Sequence, residues 1–208
     1  MTAEALTYDS LVSDLQLYAE RSDDPFIAQI PRLIMMAENR LASEVRSLGF
    51  LRIATFSLTA DVATYTKPAR WRETTQLSLT TTTGTKFLRS RGYAYCKSYW
   101  PDASLTDEPI FYSDVDYEHY VVVPTPDATY SAELTYYERP EPLSSSNQTN
   151  WTTQYAPQLL LYATLLEAQP FLKLPERIAE FQGLYDRALQ MVKAEDTARM
   201  SDTTSNRG

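Results

Sequence analysis

The residues of this chain best suited to chemistry are three carboxylates, Asp114, Asp116 and Glu118, which are spaced two positions apart. Side chains with this spacing project from the same face of a β-strand. Carboxylates aligned in this way can hold Ca²⁺ or Mg²⁺, or provide the acid and the base of a glycan hydrolase. The alternative is that Asp114 and Asp116 occupy a turn between strands, where acidic residues are common and solvated. The turn is the favoured interpretation.

Other catalytic groups are scarce. The 208-residue chain contains a single histidine, His119, and a single cysteine, Cys96, whereas a zinc site normally draws on several such ligands. The five glycines form neither a Walker loop nor a dinucleotide fingerprint. Glu167 lies in an apolar segment, where we expect it to pair with an arginine. The sequence therefore predicts a protein that is not an enzyme, with no metal, no cofactor and no internal disulfide.

Basic and aromatic residues are interleaved between positions 86 and 100, a pattern that single-strand nucleic-acid binders also use. The basic residues are Lys86, Arg89, Arg91 and Lys97, and the aromatic ones are Phe87, Tyr93, Tyr95, Tyr99 and Trp100. The chain as a whole has a net charge of −8 and a pI near 4.7. Because binding by counterion release needs a basic surface, a nucleic-acid-binding module is an alternative rather than the main hypothesis.

Charge is distributed unevenly along the chain. Residues 52–100 carry 8 basic and 2 acidic groups, net +6, and residues 101–142 carry 1 basic and 10 acidic groups, net −9. Opposite patches of this kind can fix the register between neighbours in a ring, and two separately solvated faces are the alternative. The expected contact between subunits joins Arg89 and Arg91 to Asp114, Asp116 or Glu118 of a neighbour.

Helical periodicity occupies both ends of the chain. Thr7 is a plausible cap for a helix over residues 8–20, and a second helix is expected to follow Pro31 and to end at Gly49, with Asp24 and Pro25 in a short turn before it. Near the C-terminus, a buried helix is expected from Pro157 to Pro170, and another from Glu176 to Arg199. Residues 200–208 lack periodic apolar positions, which predicts a flexible tail.

The middle of the chain has the character of strands. Alternating patterns predict strands between residues 52 and 79 and a turn at 80–84, followed by a short helix over 91–100 with Ser90 as its cap. Residues 117–123 and 129–137 are rich in β-branched and aromatic residues and predict a β-hairpin. A polar loop at 144–150 then leads to Trp151, a large aromatic expected to anchor the β-rich domain on the helices.

The order of these segments resembles the head-to-tail adaptor proteins of tailed bacteriophages, the group that includes tail-tubular-protein-A-like connectors. The resemblance covers nearly the whole chain, and its segments are packing and turn signatures rather than catalytic motifs. They are SDDPFIAQIPRLIMMAENRL at 22–41, SRGYAYCKSYWPD at 90–102, VVVPTPD at 121–127, YYERPEPLSSSNQTNW at 136–151 and YAPQLLLYATLLEAQPFL at 155–172.

The resemblance and the patterns together predict an α+β fold, with a helical bundle built from both terminal segments and a central antiparallel β-rich domain. The expected boundaries are 1–50 for the N-terminal helices, 51–150 for the β-rich domain, 151–199 for the C-terminal helices and 200–208 for the tail. The longest apolar run, residues 159–166, is too short to span a membrane.

The resemblance further implies a structural virion protein at the head-tail junction, assembled in the cytoplasm of the bacterial host. Such adaptors form a twelve-subunit ring that joins the capsid portal to the tail or nozzle and leaves a channel through which DNA passes without specific binding. Their C-terminal segments commonly engage the portal. By this resemblance the tentative portal-docking residues are Arg199, Met200 and Arg207.

Overall fold

The computed structural model describes residues 6–173 and 175–205, with side chains as far as Arg199. The described residues form six α-helices and nine β-strands. The helices are α1 (Tyr8–Ala19), α2 (Asp24–Glu44), α3 (Tyr93–Tyr99), α4 (Trp151–Tyr155), α5 (Pro157–Leu172) and α6 (Ile178–Ser205). The strands are β1 (Leu51–Leu58), β2 (Thr64–Thr66), β3 (Trp71–Thr81), β4 (Gly84–Ser90), β5 (Thr106–Asp107), β6 (Phe111–Asp114), β7 (His119–Val123), β8 (Thr125–Pro126) and β9 (Tyr130–Glu138).

The chain divides into two compact units. The first contains Met1–Phe50 and Arg139–Gly208, and the second contains Leu51–Glu138. Helices dominate the first unit and the large sheet makes up most of the second, which confirms the predicted α+β class. None of the helices described here combines the length and the hydropathy that crossing a membrane requires.

The sequence signals place α1 correctly but not α2. Thr7 caps α1 as predicted, because its hydroxyl accepts a hydrogen bond from the amide of Ser10. Helix α2, however, starts at Asp24 and runs through Pro31 to Glu44, so the predicted turn at Asp24 and the predicted end at Gly49 are both wrong. The buried stripe of α2 continues on both sides of Pro31, and this packing outweighs the hydrogen bond that the proline removes.

The helices of the first unit pack around α5. Helix α5 contacts α1, α2, α4 and α6, and it is apolar on most sides, as predicted. Pro157 occupies its first turn, and the helix continues past Pro170 to Leu172. Helix α6 runs to Ser205, so its backbone remains helical over the first residues of the segment predicted to be flexible, and residues 206–208 lie outside the described part.

The seven-stranded sheet has the order β1-β9-β3-β4-β6-β7-β2. Neighbouring strands are antiparallel except for β4 and β6, which are parallel, and the short strands β5 and β8 form a separate parallel pair. The predicted hairpin of residues 117–123 and 129–137 is wrong. Strand β7 pairs with β6 and β2, whereas β9 pairs with β1 and β3, so each lies between two other strands.

Each face of the β6–β7 part of the sheet is covered. Tyr112, Tyr120 and Val122 face the main core, which also contains leucines of β1, β3, β4 and β9. On the opposite face, Cys96 of α3 packs on Phe111, Val121 and Val123. Helix α3 lies within the predicted range, but Gly92 occupies its N-cap position instead of Ser90, which is the last residue of β4.

Candidate assembly surface

The predicted carboxylates lie at the turn between β6 and β7, which we call the acidic turn (Val115–Glu118). Asp114 ends β6 and His119 begins β7, so the three carboxylates do not share one face of a strand. The Asp116 carboxylate accepts hydrogen bonds from the amides of Glu118 and His119, both at 2.7 Å, and lies 3.0 Å from His119 Nδ1. Asp116 therefore organises the turn, in agreement with the favoured interpretation.

A buried lysine, Lys67, contacts the backbone of the acidic turn and the adjacent Asp114. The Lys67 ammonium lies 2.8 Å from Asp114 Oδ1, donates to the Asp116 carbonyl at 2.7 Å and sits 3.6 Å from the centre of the Trp71 indole. The Lys67 side chain is 2% exposed, whereas that of Asp114 is 52% exposed. Because the lysine is almost completely desolvated, its contacts fix the position of the turn relative to the segment before β3.

The electrostatics of the acidic turn disfavour acid catalysis. The Glu118 amide, and then the His119 ring, hold the pKa of the Asp116 carboxyl below its usual range. A general acid needs the opposite, a carboxyl whose pKa is raised. Asp114 is ion-paired with Lys67. Among the residues described here, no group of three or more His, Cys, Asp or Glu side chains is arranged to hold a metal ion.

Arg89 and Arg91 lie on one face of the sheet with exposed aromatic residues. Strand alternation places Phe87 and Arg89 on the same side of β4, opposite the buried Leu88. Arg91 follows the end of the strand, and its guanidinium lies over the Phe111 ring on that side. The pairing of Arg89 with Phe111 makes this the side that α3 covers. Tyr95 and Tyr99 of α3 pack edge to face on Phe111, at centroid distances of 5.6 and 5.1 Å. We call this surface the arginine-tyrosine patch (Phe87, Arg89, Arg91, Tyr95 and Tyr99).

The patch is both exposed and ordered. Phe87 is 63% exposed, Tyr95 47% and Tyr99 42%. The Arg91 guanidinium lies 5.7 Å from the centres of the Tyr95 and Phe111 rings, and the two tyrosine rings are nearly parallel, 6.2 Å apart. Because these faces already contact other side chains, they offer poor platforms for stacking bases, as a single-strand binder requires. Arginine and tyrosine are instead enriched at the energetic centres of protein interfaces.

The remaining sequence-predicted residues lie in the first unit. The half-buried Trp151 ring packs on Phe50 at 4.7 Å and on Tyr155 at 5.9 Å. Arg199 is exposed near the end of the long helix α6 and contacts Glu195. The backbone of Met200 is helical, and Arg207 lies outside the described residues.

An apolar groove of about 510 Å³ runs between the start of α5 and the middle of α6. Exposed Tyr155 and Met191 line it, together with Val192 and Glu195. Arg199 follows Glu195 by one helical turn and contacts it, so the groove leads toward the tentative docking residues. The groove therefore adds apolar surface to that end of α6.

Two important polar residues carry no distinct sequence signal. Lys67 lies in a segment with no strong pattern, and only the folded structure shows it buried beneath the acidic turn. Glu38 lies on the buried face of α2, where it accepts hydrogen bonds from the Leu143 amide and from Asn150 Nδ2. The predicted pairing of Glu167 with an arginine is confirmed, because Arg40 Nε lies 2.7 Å from Glu167 Oε1.

Comparison with known proteins identifies the family. A model described as the SU10 adaptor protein matches residues 6–207, so the chain belongs to the SU10 adaptor protein family. This membership points to a structural role in a bacteriophage rather than to an enzyme. No protein in the curated collection matches the chain.

Proposed function

We propose that this member of the SU10 adaptor family joins the capsid portal of a tailed phage to its tail, as a ring that leaves a channel for DNA. The family match over residues 6–207 carries the proposal. The subunit architecture suits a connector, because two compact units offer separate surfaces to different partners. The helical unit contains both ends of the chain, and Trp151 acts as its anchor residue by packing on Phe50, the residue that precedes the β-rich unit in the sequence.

The helical unit supplies the portal-docking surface. Arg199 and Arg207 make the polar contacts, Met200 contributes an apolar side chain, and the groove that Tyr155 and Met191 line supplies further apolar area. Exposed apolar side chains along a groove are typical of sites that accept a partner segment. The C-terminal end of α6 thus contributes a surface that is completed only in the assembled particle.

The β-rich unit faces the tail or nozzle protein and carries the contact between subunits. Arg89 and Arg91 of one subunit meet the carboxylates of the next, among which we count Asp114, Asp116 and Glu118. The net charge of −9 over residues 101–142 gives the channel a wall that does not grip passing DNA. Duplex DNA is therefore expected to bind the protein only weakly, at any salt concentration.

Electron microscopy of the protein mixed with its portal tests the proposal. Twelve copies of the 23.7 kDa chain would form a ring of about 280 kDa. We expect such a ring on one face of the portal, and free subunits beside unmodified portals would refute the adaptor role.

A chain that ends at Arg199 tests the docking surface separately. We expect it to keep its melting temperature and its ability to form the ring, while its attachment to the portal weakens. Full portal binding by the truncated chain would remove Met200 and Arg207 from the docking surface.

A further inference from the structure

We propose that the acidic turn of one subunit packs on the arginine-tyrosine patch of the next, with Glu118 as the carboxylate that Arg89 and Arg91 bind. The inference rests on the proposed ring and specifies the contact within it. It assigns five further residues to the interface, which are Phe87, Tyr95 and Tyr99 on the patch and Val115 and Tyr117 on the turn.

The first observation is that the patch lacks acidic partners of its own. Seven lysines and arginines in the described residues pair with carboxylates within the subunit: Arg21, Arg40, Arg52, Lys67, Arg70, Lys86 and Arg199. In the same part of the chain, no carboxylate oxygen lies within ion-pair distance of Arg89 or Arg91. The patch therefore presents two cations, of which Arg91 lies beside Tyr95, to an acidic partner.

The second observation is that only one carboxylate of the acidic turn is available. Asp114 is ion-paired with Lys67, and Asp116 is occupied by the turn amides and His119. Asp114 also lines the same pocket as Arg91, so both lie on one side of a single subunit. The Glu118 side chain is exposed, and its backbone carbonyl accepts a hydrogen bond from the Lys67 amide. Glu118 is therefore held in place and can reach a neighbour.

The third observation is that the turn is rigid and partly apolar. Val115 is 38% exposed and Tyr117 is 62% exposed, and Tyr117 packs edge to face on Trp71. Asp116 and Lys67 hold the backbone between these residues. A surface whose geometry is set before binding loses little conformational freedom when it docks. The turn thus presents a carboxylate between two apolar side chains, which complements arginines between tyrosines.

The contact also has the symmetry that a ring requires. The patch and the turn consist of different residues, although Asp114 beside the turn lines the same pocket as Arg91 of the patch. When each subunit gives its turn to one neighbour and its patch to another, the contact is head to tail and can close into a ring, whereas a reciprocal exchange between two subunits stops at a dimer. In the head-to-tail arrangement of the proposed ring, packing of the turn on the patch predicts chains of subunits rather than pairs.

Disulfide crosslinking in the assembled protein tests this geometry. A chain with both Tyr99→Cys and Tyr117→Cys should give a ladder of covalent oligomers under mild oxidation, because each subunit offers one thiol to each neighbour. The native Cys96 is fully buried, so the wild-type protein gives the background level of crosslinking. A matched control carries Tyr117→Cys with Glu180→Cys, which is exposed in the other unit and should give no ladder.

Charge reversal is the second experiment that tests the contact between the turn and the patch. Arg91→Glu and Glu118→Arg should each raise the concentration needed for assembly by at least about tenfold, and the double variant should recover most of the loss. Arg187→Glu, an exposed residue of α6, controls for net charge and should assemble normally. Circular dichroism and melting temperatures establish that each variant is folded.

The outcomes separate this inference from the proposed function. If the wild-type protein forms a ring on the portal, but the cysteine pair gives no ladder or only dimers, the turn-on-patch contact is refuted and the adaptor role stands. Normal assembly of a folded Arg91→Glu variant also refutes the contact. If the wild-type protein does not associate with itself, either alone or on the portal, both proposals fail.

Discussion

Glu38 should make the stability of this protein depend on pH in a direction opposite to that of most surface carboxylates. Its side chain is 6% exposed on α2, and burial raises the pKa of the carboxyl from 4.5 to about 7 despite hydrogen bonds from Leu143 and Asn150. In the unfolded chain the carboxyl ionises near its ordinary pKa. The folded state therefore holds the proton more tightly than the unfolded state, and its stabilising effect is lost as the pH rises from about 4.5 through 7.

The size of the effect follows from the two pKa values. A tenfold difference in proton affinity corresponds to about 1.4 kcal/mol, so the change from 4.5 to about 7 corresponds to a total loss of about 3 kcal/mol once the pH is well above 7. Below pH 4.5 none of this loss occurs. About 3 kcal/mol is a large part of the stability of an ordinary domain, so the effect should be measurable.

Urea denaturation of the wild type and of Glu38→Gln from pH 5 to pH 8.5 provides the measurement. Glutamine cannot ionise, and its amide oxygen can accept the Leu143 and Asn150 hydrogen bonds. The variant should gain about 2 to 3 kcal/mol relative to the wild type across this range. Glu180→Gln, which removes an exposed carboxylate, is the control and should follow the wild type. Equal pH dependence in wild type and Glu38→Gln would refute this account of Glu38.

Three further changes test the packing around the other named residues. Trp151→Ala should lower the free energy of unfolding by about 2 to 4 kcal/mol, since the half-buried ring packs on Phe50; an unchanged melting temperature would contradict this. Gly49→Ala should destabilise the wild type, because a Cβ there would lie 2.0 Å from the Trp151 indole nitrogen, and should cost much less in the Trp151→Ala background. Lys67→Met should lower the free energy of unfolding in urea by about 1 to 2 kcal/mol, because it removes the hydrogen bond to the Asp116 carbonyl, and should raise hydrogen exchange at the Glu118 and His119 amides; unchanged exchange would show that the turn holds without the lysine.

Signals within a few residues of one another explain which elements could be predicted from the sequence. The Thr7 cap and the first-turn position of Pro157 depend on local backbone geometry, and both are where the sequence places them. Pro31 shows the limit of local reasoning. A proline usually ends or starts a helix, but here the apolar stripe on both sides of it is buried by other helices, which a local signal does not reveal.

Strand pairing could not be predicted in the same way. Residues 119–123 and 130–138 are both strands, but neighbours in the chain need not be neighbours in the sheet. Each strand buries one face against the core only if its register suits several partners at once, and those partners include β1, which lies about eighty residues before β9. Long-range pairing of this kind leaves no trace in the pattern of a single strand.

The candidate assembly surface was predicted in part. The turn interpretation of Asp114 and Asp116 follows from residue types, and the structure places Asp116 in the acidic turn and Asp114 just before it, as the last residue of β6. Lys67 forms the ion pair that engages Asp114 within the subunit, and the sequence around Lys67 does not indicate that it is buried. The same is true of Glu38, whose partners lie 105 and 112 residues away. Buried charges are recognised through their distant partners, and those require the fold.

Helix α2 shows what such distant polar contacts do for the helical unit. Its Glu38 accepts from the loop before α4, its Arg40 pairs with Glu167 of α5, and its Glu44 accepts from the Tyr185 hydroxyl of α6 at 2.7 Å. Apolar packing alone permits helices to slide past one another, because leucine surfaces are similar from turn to turn. Hydrogen bonds and ion pairs with fixed geometry permit only one register. Because a connector has to hold two partners at a set distance, we infer that these three contacts of α2 serve the positional accuracy of the helical unit more than its stability.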